Sequence, residues 1–61
     1  MNKDEVLDIM MNSINSDNKE LCLRSGMSEE QANAQIDQSQ PSLAFMMENI
    51  IDKLTEAGVK F

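Results

Sequence analysis

Cys22 is the only thiol in the 61 residues, and no histidine accompanies it. A cysteine attacks as its thiolate, which forms beside cations, a histidine or a helix N-terminus. Its near neighbour Glu20 is an anion, the opposite of that setting. Without histidine, neither a Ser–His nor a Cys–His nucleophile pair can be assembled. Carboxylates are plentiful, but Glu29–Glu30 stands at an expected helix start, where the helix dipole favours negative charge without any acid–base role. "DNKE", Asp17 to Glu20, lacks the glycine and the spacing of a calcium loop. One thiol cannot build a structural zinc site, and no glycine-rich phosphate loop is present. These residues point to a protein that binds rather than reacts, with no catalytic residues, no metal and no cofactor.

Charge narrows the partners. Eleven acidic residues face five basic ones, a formal charge of -6. Lys3, Lys19, Arg24, Lys53 and Lys60 are scattered, whereas phosphate backbones need clustered cations. Direct nucleic-acid binding and anionic membrane surfaces are both disfavoured. No apolar run reaches the roughly 20 residues of a membrane span. The N-terminus has no apolar core of a signal peptide. One free cysteine then suits the reducing cytoplasm, which is the expected location.

The elements that position these residues read as helices. β-branched and aromatic residues are few and strict alternation is missing. Val6, Leu7, Met10, Met11 and Ile14 recur at helical spacing, giving a first helix over about 3–14. "NSDN", Asn15 to Asn18, favours caps and turns, so a break is expected there; the alternative is a polar patch within one long helix. A short helix over about 18–25 follows, with Asp17 and Glu20 as a capping box and Gly26 as its stop. Ser28 and Gln31 form the clearest box in the chain and open a helix to about Ser39. Pro41 fits the first turn of a last helix. That helix ends near Ala57, where Gly58 and Val59 suit a Schellman motif closing on Leu54.

From Lys19 to Leu54 the order is short helix, Gly26-Met27 loop, capped helix, polar turn, apolar helix. Ala32 and Ile36 follow the loop one turn apart, and Leu43, Met46, Met47 and Ile50 fall at inward spacing. This resembles the ubiquitin-associated-like three-helix bundle, a family that includes the N-terminal domain of elongation factor Ts. The resemblance implies a three-helix bundle, expected at 18–57; with the N-terminal helix at 3–14, which is extra to the family, the chain is expected to form one all-α domain over 1–61. Ser25 stands where ubiquitin-binding members carry Met, and "QPS" replaces the Asp that often opens the last helix. The resemblance therefore implies the fold and not the ubiquitin ligand. A helical hairpin dimer pairing the first and last helices is the alternative architecture.

A chain this short buries only about 60% of its unfolded surface and usually needs a staple. With disulfide and metal excluded, self-association or a protein partner remains. At about 100° per residue, Leu43, Met47, Ile50, Leu54 and Ala57 form one stripe of the last helix, widened by Met46 and Ile51. Glu48, Asp52 and Glu56 stack opposite it. Phe45 points with these acids, and Ile9 is likewise opposite Leu7 and Ile14. Three readings stand open for Phe45: it is an ordinary isolated surface apolar residue, the N-terminal helix covers it, or another chain does. Methionines at helical spacing are most often core, as expected for Met10, Met46 and Met47; Met11 and Met27 remain available as contacts.

The function expected is a small acidic protein-binding module, an inhibitor or adaptor of a size found among accessory proteins of phages and mobile elements. It would dock an apolar helix face around Phe45, Met27, Ile9 and Met11, with Glu48, Asp52 and Glu56 steering a basic partner. Two other classes fit the same sequence. One is an acidic DNA mimic that occupies a DNA-binding protein. The other is an oligomer that sequesters a small ligand between subunits, with Asn12, Ser13, Arg24 and Gln35 as polar candidates.

Overall fold

The computed structural model describes all 61 residues and contains two helices and no strand: α1, Lys3–Arg24, and α2, Glu29–Glu56. They run antiparallel as a hairpin of 42 × 17 × 15 Å. The all-α class expected from the sequence is found. The helix count is not: the breaks expected at "NSDN" and before Pro41 are absent, so residues 3–14 are not a separate element.

Side-chain bonds accompany both continuities. The Asn15 amide is drawn across the hairpin to Gln40, and Asn18 is half-buried beside α2. Glu20 accepts a hydrogen bond from Arg24 at 2.7 Å instead of closing a box with Asp17. Pro41 lies inside α2, where it removes one backbone donor and crowds the preceding turn. Around it, Ser39 Oγ and Gln40 Nε2 both donate to the Ile36 carbonyl, at 2.7 and 3.0 Å.

The helix ends follow local rules. Asn2 accepts from the Glu5 N–H while Glu5 accepts from the Asn2 N–H, and Ser28 and Gln31 exchange the same pair of bonds. Past α1, Gly26 takes a φ of +97°, and the Met27 N–H reaches the Cys22 carbonyl at 3.1 Å. Past α2, Gly58 takes +98°, and the Val59 N–H reaches the Leu54 carbonyl at 2.9 Å. Both are Schellman closures, and glycine holds the left-handed position because a Cβ is disfavoured there.

The seam is narrow. Leu7, Met11, Ile14, Asn18 and Cys22 of α1 face Ala32, Ile36, Gln40, Leu43, Met47 and Ile51 of α2, at the three- and four-residue spacing of packed helices. Only Cys22, Ala32 and Ile51 are buried; the rest are half-exposed. This divides the wide apolar stripe of α2. Ile51, expected at its margin, is the buried residue, whereas Ile50 is 42% and Leu54 39% exposed. Met10 and Met47 are half-buried as expected, but Met46 is exposed, because a two-helix structure has only one neighbour for α2 to face.

Candidate functional site

The hairpin has two unlike flanks, and polar contacts identify them. Asn15 Nδ2 donates to Gln40 Oε1 at 3.0 Å, and Gln40 Nε2 donates to Asn15 Oδ1 at 2.7 Å. Lys19, one turn beyond Asn15, meets Glu29 at 3.1 Å. These pairs fasten one flank and set the register, with Asn15 opposite Gln40. Nearer the open end a cleft of about 200 Å³ is lined by Lys3, Asp4, Leu7, Glu48, Ile51 and Asp52. No group of three or more ligating side chains is placed to hold a metal ion.

The other flank is apolar. Lys19 and Asn15 lie clockwise of the α1 seam, so Val6, Met10 and Ile14 lie on its far side at about 100° per residue. Because α2 runs the opposite way, Leu43, Met46, Ile50 and Leu54 turn toward that same side. Val6, Met10, Ile14 and Leu43 are half-buried, while Met46, Ile50 and Leu54 are exposed. The surface crosses both helices and bears no acidic residue between Lys3 and Asp17 on its α1 part. Lone exposed apolar residues are ordinary, but a contiguous patch marks an interaction surface.

The residues singled out from sequence are dispersed. Phe45 is 66% and Ile9 52% exposed, each pointing away from the seam on its own helix, so they do not share a surface. Of the readings open for Phe45, cover by the N-terminal helix is not found: Phe45 stays exposed and α1 packs on another side of α2. Glu48, Asp52 and Glu56 are exposed, and Glu48 and Asp52 line the cleft with Asp4 and Leu7 of α1. Met11 is in the seam, and Met27 is half-buried in the turn. Asn12, Ser13, Arg24 and Gln35 are all exposed, and Arg24 is engaged by Glu20. What the sequence did not show is that Ile50, Leu54 and Val6 turn to one side of the hairpin. Their spacing was visible; which side of a wide stripe a single neighbour would leave uncovered was not.

No family model, no curated protein and no solved structure matches the chain. No helix is long and apolar enough to cross a membrane.

Proposed function

We propose that the protein is a non-enzymatic binding module that docks through the apolar flank of its hairpin. The observation that carries this is the row Met46, Ile50 and Leu54, exposed on α2 beside the half-buried Val6 and Met10 of α1. Burying one such side chain contributes about 1.5–3 kcal/mol, so a handful of them supplies the driving force of an interface. Glu48, Asp52 and Glu56 lie off this flank, and charge there governs the rate and choice of encounter more than affinity.

The test compares two substitutions on one helix. Ile50→Glu places a charge on the flank, while Phe45→Ala trims the outer side. With the purified chain as bait, the expected result is that partners retained by the natural sequence are lost with Ile50→Glu and kept with Phe45→Ala. The reverse pattern returns the site to the Phe45 side. Binding that instead falls by orders of magnitude between low and moderate salt is the mark of a DNA mimic.

A further inference from the structure

We propose that the apolar flank closes on the same flank of a second copy turned end for end, with α1 antiparallel to the partner's α1 and α2 antiparallel to the partner's α2. The product is a four-helix bundle. This inference rests on the docking flank described above and names its occupant.

Area is the first argument. A folded monomer of 6.9 kDa is expected to expose about 4,000 Å², and this chain exposes 4524 Å². The 42 Å by 17 Å side of the hairpin offers a footprint of about 700 Å². That is close to the roughly 800 Å² each partner contributes to a standard interface. One more hairpin therefore covers this side end to end. Bundles of four helices bury such faces through the same three- and four-residue spacing that the seam already shows.

Charge selects the orientation. Lys3, Met10 and Asp17 lie seven residues apart along the same line of α1, with Met10 midway. A two-fold axis beside Met10, perpendicular to the helices, places Lys3 against the partner's Asp17, and the partner's Lys3 against Asp17. An isologous contact repeats every pair in this way. In the register set by Asn15 and Gln40, Met10 is level with Phe45, so Met46 also lies near the axis. Leu54 then falls level with the partner's Ile36, and Ile50 with the partner's Gln40, one turn from its Leu43. The other face-to-face arrangement, with the axis along the helices, brings Lys3 against the partner's Lys53, like charges together. Of the eleven acidic residues, only Asp17 lies on this flank, so the net charge of -6 is held away from the contact.

Three measurements on the full chain test this. Light scattering is expected to give twice the monomer mass, falling to the monomer for Ile50→Glu. Met10→Cys in a Cys22→Ser background is expected to cross-link to itself under native conditions with oxidised glutathione, because the axis passes beside it. A dimer that cross-links only when Met10→Cys and Met46→Cys chains are mixed overturns the end-for-end arrangement. Lys3→Glu and Asp17→Lys each weaken association, by about three- to tenfold for two exposed pairs per dimer, and together they restore it; a double exchange that restores nothing also overturns the arrangement. A monomeric chain overturns the second copy. If Ile50→Glu still abolishes capture of a different protein by that monomer, the docking flank survives; if Ile50→Glu changes nothing, the flank falls too.

Discussion

On one flank of the hairpin Lys19 reaches Glu29 and Asn15 trades two hydrogen bonds with Gln40; on the other, Val6, Met10, Met46, Ile50 and Leu54 meet no such fastening. The fastened flank fixes which residues of the two helices stand level. The open flank holds much of the apolar surface that a three-residue core cannot take in. The contrast teaches that polar pairing and burial have been assigned to different sides. Directional bonds specify register but add about 0.5–1.5 kcal/mol each. Apolar area is non-directional and stabilises only when something covers it.

The largest expected effect tests that division within one pair of neighbours. Ile51 is 3% exposed, and Ile51→Ala should remove about 2–5 kcal/mol, enough to unfold a chain this small. Ile50→Ala, measured by urea titration at concentrations low enough to dissociate any assembly, should remove about 1 kcal/mol or less. Equal losses at the two positions would show that the flanks do not differ in burial.

Pro41→Ala comes next and has the opposite sign. A proline in a helix interior is disfavoured relative to alanine by about 3 kcal/mol, part of which returns through the freer unfolded chain. If α2 is one helix, Pro41→Ala raises the urea midpoint. If instead Pro41 opens a separate helix after a turn, the substitution lowers stability or leaves it unchanged.

These two positions also show how much could be read from the sequence. Helix ends were legible because their determinants are local: Ser28 with Gln31, Gly26, and Gly58 with Val59 each act within a few residues. The breaks expected at "NSDN" and Pro41 failed for a shared reason. Asn15 and Asn18 do favour turns, but that preference is weaker than the cross-hairpin bonds and packing they gain. No local rule contains Gln40, twenty-five residues away. The candidate site was half legible. Its apolar residues were recognised as a stripe, yet Ile50 and Ile51 exchanged roles because the stripe is wider than one neighbouring helix can bury. Phe45 looked anomalous from sequence and remains exposed, but its exposure is solitary, whereas Ile50 belongs to a patch spanning both helices.

Asn15→Ala probes the fastened flank. It leaves the half-buried Gln40 amide short of a partner, at about 1–3 kcal/mol. Replacing both Asn15 and Gln40 by Leu should recover most of the loss, since an apolar pair of similar shape removes the unmet bonds. It should also erase the register, because a single polar contact in an apolar seam is what distinguishes one alignment from its neighbours. The readout is a cross-link between cysteines placed at positions 8 and 48 in a Cys22→Ser background. It should form in one register with Asn15 and Gln40 present and lose yield with both replaced.

The smallest effect belongs to Lys19→Met. Lys19 and Glu29 keep 38% and 73% of their side chains exposed, and pairs so open to water contribute about 0.2–1 kcal/mol, less as salt rises. The loss on substitution should therefore fall toward zero in 1 M salt, while the loss for Asn15→Ala should persist, because a part-buried amide pair is not screened. A Lys19→Met effect that exceeded Asn15→Ala and survived salt would transfer the register from the amide pair to the ion pair. The flank would then be fastened nearer the turn, where Cys22 and Ala32 already hold the helices together, and the middle of the hairpin would be free to slide.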